Sequence, residues 1–149
     1  IIPEPSLTEV QEAKISEIRD MQQTLIKNGC NVELSDGTTE RFTLTTEDQL
    51  SLNSLSVKTL EGEMQIIPWH QADESVPCRF YSKEDMKKIT DTCMMFVTYH
   101  VTYFRDLRIY VRSLLNVDDI NSISYGDTLP ESYQSPVLKM LMTQLGGVA

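Results

Sequence analysis

Residues 82–116 read SKEDMKKITDTCMMFVTYHVTYFRDLRIYVRSLLN. Met86, Ile89, Cys93, Phe96, His100, Tyr103, Leu107, Tyr110 and Leu114 recur in alternating steps of three and four, the spacing of one helix face. Val97, Phe104 and Val111 widen the stripe, and no Gly or Pro interrupts it before Asn116. Ser82 with Asp85 three residues on suits a helix start. A continuous helix of about 33 residues is about 50 Å long. That exceeds what one domain of 149 residues needs, so part of it is expected to reach another chain or domain. A seam kept this long is compatible with a coiled coil, which makes a homo-oligomer through the long helix one expectation.

Working outward, apolar runs at Met64–Trp69 and Val76–Tyr81 flank Gln71–Ser75 and predict two extended segments joined by a turn. Pro68 and Pro77 lack an N–H and belong at a sheet edge or bulge. A second hairpin is expected over Asn31–Leu44. Asp36-Gly37 invites a two-residue loop, but that register sets Val32 and Leu34 on one face with Thr39 and Arg41. A three-residue loop, Ser35–Gly37 with Gly37 left-handed, places Leu34 opposite Thr38. Val32, Leu34, Phe42 and Leu44 then share a face, and burying each is worth about 1.5–3 kcal/mol. The three-residue loop is expected to win.

Ser6 and Glu9 have capping-box spacing ahead of Leu7, Val10, Ile15, Ile18, Met21 and Leu25, so a helix is expected over about residues 7–27, ended by Gly29. Thr45 or Thr46 caps a second helix, with Asp48 or Gln49 three residues on; Leu50, Leu52, Leu55, Val57 and Leu60 are its apolar positions, and Gly62 follows its end. Beyond the long helix, Val117–Ile123 predicts one short helix. Tyr125-Gly126 and Leu129-Pro130 break the chain. Ser135-Pro136 starts a last helix that buries Val137, Leu138, Leu141, Met142 and Leu145 and stops at Gly146-Gly147. The fold class is α+β: one long central helix, several shorter helices and one or two small antiparallel β-hairpins. Residues 7–147 form a single domain in this reading, and residues 1–6, with Pro3 and Pro5 and no initiating Met, read as a linker from a preceding segment.

A net charge of −9 without a basic cluster argues against nucleic acid. Arg105, Arg108 and Arg112 read as solvated surface on one helix. No apolar run approaches a bilayer span, so no membrane partner is expected. Cys30, Cys78 and Cys93 are odd in number and widely spaced, which suits a reducing compartment and neither a disulfide framework nor a zinc site. No cofactor motif occurs.

Two clusters carry chemically versatile side chains. Trp69, His70 and Cys78 bracket the 71–75 turn, and pairing through that turn brings positions near 70 and 78 opposite each other. A Cys–His pair makes a nucleophile when the ring reaches the sulfur, yet no third orienting group is identifiable, and Arg79 suits a surface pair with Glu74. Trp69 is expected to bury its ring and give its N–H to a carbonyl. His100, between Tyr99 and Tyr103, reads as a buried neutral imidazole satisfied by a hydroxyl or carbonyl. Trp69, His70, Cys78, Phe96, His100, Tyr103 and Leu107 are therefore taken as structural or interface residues, with no catalytic, cofactor or metal role.

Five stretches occur in an order that resembles a phage- and prophage-encoded family of domains of unknown function: Ala13–Ile18; Leu34–Thr38 leading to Phe42, Leu44 and Glu47–Leu50; Pro68–Glu74 running into Cys78–Ser82; Thr98–Tyr103 with Leu107 and Val111; and Ile123–Pro130. The chain departs from that pattern at Trp69, where Tyr is expected, and at Asp73–Ser75, which lacks a Gly. The resemblance implies a bacteriophage setting near tail-fibre assembly and tail proteins, and no catalytic residues. The implied function is a non-enzymatic tail structural or accessory domain that contacts tail or fibre proteins. The implied place is the virion, after synthesis in the bacterial host cytoplasm. A cytoplasmic tail-fibre assembly chaperone and a small hydrolase using His70 and Cys78 are the alternatives.

Overall fold

The computed structural model describes residues 3–60 and 65–145, and its architecture is α+β. In chain order come α1 (Leu7–Asn28), β1 (Cys30–Glu33), β2 (Thr39–Phe42), α2 (Thr46–Leu60), β3 (Ile66–Trp69), β4 (Arg79–Ser82), α3 (Lys83–Ser113), α4 (Val117–Asn121) and α5 (Pro136–Gln144). A 3-10 turn at Glu131–Tyr133, absent from the sequence expectation, precedes α5. The strands make two separate antiparallel pairs, β1 with β2 and β3 with β4. The chain divides into two compact units: Thr24–Val97, and Ile1–Gln23 together with Thr98–Ala149.

Unit Thr24–Val97 is built around the first hairpin. Leu34 N–H donates to Thr38 O at 2.7 Å, Gly37 N–H donates to Leu34 O at 3.0 Å, and Gly37 has φ +87°. This is the three-residue loop. It sets Val32 against Glu40 and Cys30 against Phe42, and Val32, Leu34, Phe42 and Leu44 are all buried. Leu52, Ile67, Trp69, Tyr81, Met86 and Ile89 complete the same core. In the second hairpin β3 and β4 pair Ile67 with Tyr81 and Trp69 with Arg79. Their inner residues alternate with exposed Ile66, Pro68 and Phe80, as a pleated strand requires.

Unit Ile1–Gln23 with Thr98–Ala149 buries Ile15 and Ile18 of α1; Tyr103, Leu107 and Val111 of α3; and Leu138 and Leu141 of α5. Polar side chains close its helix ends. Ser6 and Glu9 make the capping box. Gln11 Nε2 donates to Leu114 O at 2.8 Å beyond α3, and Lys14 Nζ donates to Ile123 O at 2.8 Å beyond α4. Asn116 caps α4 and Ser135 caps α5.

Helix α3 is one continuous element of 31 residues. Its stripe is buried within the chain: Met86, Ile89 and Cys93 in one unit, Tyr103, Leu107 and Val111 in the other. Two units sharing one helix account for a length that is excessive for one. Several expectations need correction. β4 begins at Arg79, so Val76, Pro77 and Cys78 belong to the connection and not to a strand. Helix α4 stops at Asn121, two residues short of Ile123. On α2, Leu52 is buried while Leu50 and Val57 are more than half exposed, because a single face of this helix meets the core. Met21 and Val137 are likewise exposed. Leu60's side chain, Gly62, Met64 and Gly146-Gly147 fall outside what is described.

Gly29 ends α1 with φ +79°, and a Cβ there would lie inside the van der Waals radius of the Phe42 carbonyl oxygen. Gly37 is also left-handed, but a Cβ there meets open space. Gly37→Ala should therefore cost about 1 kcal/mol from backbone conformation alone. Gly29→Ala should cost roughly 3 kcal/mol or more, since β2 must also move. Urea unfolding of the two variants checks the ranking.

Candidate functional site

Unit Thr24–Val97 contains an open cleft of about 570 Å³ lined by Lys27, Thr43, Asp48, His70, Glu74 and Cys78, among others. Helix α2 positions Asp48. Thr45 Oγ1 accepts from the Asp48 N–H at 3.1 Å, and Asp48 Oδ2 accepts in return from the Thr45 N–H at 3.2 Å and from Thr43 Oγ1 at 2.9 Å. A capping box thus fixes this carboxylate. Its second oxygen faces His70 Nε2 at 3.2 Å.

His70 follows β3 directly and lies against Trp69, ring centroids 4.5 Å apart. The connection that carries Cys78 is held at two points. Ala72 N–H donates to Arg41 O at 2.7 Å, and Asp73 Oδ1 accepts from the Ser75 N–H at 2.9 Å and Ser75 Oγ at 2.6 Å. Cys78 is exposed at the cleft.

Asp48 thus faces His70, and Cys78 lines the same cleft. Among the described residues, no hydrogen bond joins the Cys78 thiol to the His70 ring. Trp69 is buried as expected, but its Nε1–H finds no acceptor among the described residues, which corrects the expected bond to a carbonyl. Phe96 is half-buried against the core of this unit.

Glu40, which sequence reasoning missed, stands beside this hairpin. It pairs with Val32 and so faces inward. Its carboxylate accepts from Tyr81 OH at 2.6 Å and from Arg79 Nη2 at 2.9 Å. The Arg79 guanidinium lies 3.9 Å from the Tyr81 ring centroid, a cation–π contact. Arg79 therefore pairs with Glu40, correcting the expected partner Glu74. Burial and the neighbouring Glu40 carboxylate push the Tyr81 phenol well above its usual range.

In the other unit, His100 and Tyr103 are buried on α3. His100 Nδ1 lies 2.7 Å from the Tyr125 hydroxyl. Tyr103 OH donates to Asp127 O and accepts from the Gly126 N–H. Tyr99 stacks on Tyr103. The expected hydroxyl beside His100 is that of Tyr125, and Tyr99 on the same helix meets the imidazole edge-on. Leu107 is fully buried. Asp106, a second missed carboxylate, accepts from the Ser135 N–H at 2.8 Å at the start of α5.

Among the described residues, no three His, Cys, Asp or Glu side chains gather within metal-binding range, and no helix is long and apolar enough to cross a membrane. Arg105 and Arg112 are exposed and Arg108 half-buried; Arg112 pairs with Glu12 at 3.2 Å. Comparison of the chain with protein-family models, with curated proteins and with solved structures finds no match.

Burial holds His100 neutral, its pKa pushed down from 6.5 to about 4. The unfolded chain binds the extra proton between those values, so this contribution to stability is complete above pH 6.5 and lost as pH falls towards 4. It amounts to at most about 3 kcal/mol. Urea unfolding from neutral to acid pH should show a steeper loss for the native chain than for His100→Gln. At the cleft, Asp48→Ala removes the carboxylate half of the capping box, the bond from Thr43 and the pairing with His70, and should cost about 2–3 kcal/mol. Asp48→Asn should recover part of this; thermal unfolding measures both.

Proposed function

We propose that this chain is a non-enzymatic structural or accessory domain of a bacteriophage tail, working through contacts with tail or fibre proteins. The order of five sequence stretches that resemble phage-encoded domains supports the setting. The observation that carries the contact role is the outer face of the β3–β4 hairpin. Pro68 stands opposite Phe80, and Ile66, at 56% exposure, lies on the same face as Phe80, at 63%. Contiguous apolar side chains on a pleated face leave an incentive to be covered. Tyr81, Ile67 and Trp69 secure the hairpin from beneath, so it presents a rigid platform.

A specific observation favours a second reading. Asp48, His70 and Cys78 line one cleft, the residue types of a thiol hydrolase. In that case Cys78→Ala abolishes an activity while leaving the fold intact. In the contact reading the same variant binds its partner unchanged.

Two measurements test the proposal. Mass spectrometry of purified particles should find the polypeptide; its absence from particles, with co-purification alongside fibre protein from lysates, would instead indicate an assembly chaperone. Replacing Ile66 and Phe80 together by Thr should weaken partner binding roughly tenfold or more, on the scale of an interface hot spot. Thermal unfolding should stay nearly unchanged, because both side chains face solvent. Unaltered binding by this folded variant would overturn the assignment of the face.

A further inference from the structure

Unit Thr24–Val97 contains a thiol pair that sequence spacing concealed. Cys30 opens β1 and Cys93 lies on α3, 63 residues further along, yet their Sγ atoms stand 3.8 Å apart. Cys30 pairs with Phe42 in the β1–β2 ladder, immediately after the conformationally restricted Gly29. Cys93 is fully buried in the core. Cys78, the third thiol, is exposed elsewhere.

We propose that Cys30 and Cys93 form a disulfide-closing redox site, with Cys30 as the attacking thiol and Cys93 as the resolving one. A disulfide needs the sulfurs at roughly 2.05 Å, so closing it draws together two sulfurs that already stand in contact. The two environments differ in the sense such a division of labour requires. Cys30 is half-buried, hence reachable. The Arg41 guanidinium donates to Gly29 O at 3.1 Å, beside Cys30. The hydrogen bond from Cys93 chiefly, helped by Arg41 and opposed by burial, lowers the Cys30 pKa. Partial exposure beside positive charge is the setting in which thiols react. The bond to Cys30 and burial push the Cys93 thiol up, so it holds its proton until the second step.

The oxidant is a low-molecular-weight disulfide such as glutathione disulfide. The Cys30 thiolate attacks one of its sulfurs, forming a Cys30–glutathione bond and expelling a glutathione thiolate, which takes up the proton lost by Cys30. The Cys93 sulfur then attacks the Cys30 sulfur and expels the second glutathione, which takes the Cys93 proton. Two thiols of the chain are oxidised and one glutathione disulfide is reduced to two glutathiones. The closed form ties β1 to α3 and constrains the unfolded chain over a long loop. The inference stands apart from the contact role proposed above.

The test uses the folded chain carrying Cys78→Ser, exposed to glutathione disulfide in mildly alkaline buffer, then denatured and alkylated. The expected result is a mass lighter by two hydrogens with no alkylation, and a digest in which the Cys30 and Cys93 peptides are linked. Thermal unfolding of this form should rise by roughly 5 °C or more and fall back on reduction. Adding Cys93→Ala should halt the reaction at the Cys30–glutathione adduct. If that variant does not fold, the linked peptide in the parent chain decides alone. Two alkylatable thiols after prolonged oxidation of the folded chain, or a link formed only in urea, would overturn the proposal.

Discussion

Unit Thr24–Val97 depends on the register that the Ser35–Gly37 turn imposes on β1 and β2. Strand side chains alternate, so a slip of one residue would turn every buried position to solvent. The left-handed Gly37 absorbs the odd residue and keeps Val32, Leu34, Phe42 and Leu44 together. The same register turns Glu40 inward. An inward carboxylate is costly unless paired, and here it receives Tyr81 OH and the Arg79 guanidinium from β4. One turn therefore determines both the apolar face of the first hairpin and its polar link to the second.

The carboxylates and imidazoles of this chain work largely as joints. Asp48 closes the start of α2 and faces His70 across the cleft. Asp106 receives the first free N–H ahead of α5. His100, with Tyr103 and Tyr125, holds the irregular segment after α4. Buried polar groups arranged in this way rigidify only while every member is satisfied, which explains why these loops carry so many side-chain bonds to backbone atoms.

What could be read from the residues follows the range of the interactions. Ser6 with Glu9, Thr45 with Asp48, Ser82 with Asp85, and Ser135 ahead of Pro136 act within one turn, so spacing reveals them. Gly37 was legible because the competing registers differ in whether Phe42 and Leu44 join Val32 and Leu34 on the buried face. Glu40, Asp106 and the Cys30–Cys93 approach were not, since each partner lies at least 29 residues away and only the fold brings it close. Asp48 was visible as a cap and invisible as the neighbour of His70 for the same reason. Leu50 and Val57 misled because an apolar residue on a short helix carries no mark of which side faces inward. The sharing of α3 between two units also leaves no local trace: its periodicity is the same whether one body or two receive the stripe.

The division of the chain has a consequence for its synthesis. Unit Thr24–Val97 is uninterrupted, whereas the other is assembled from the first 23 residues and everything after Val97. As the nascent polypeptide leaves the ribosome tunnel, the uninterrupted unit is the first whose parts are all outside. Ile15 and Ile18 must wait, uncovered, while Thr98–Ala149 is translated, a delay of several seconds at roughly 5–20 residues per second. The interval gives the cell's folding helpers their opportunity to bind α1.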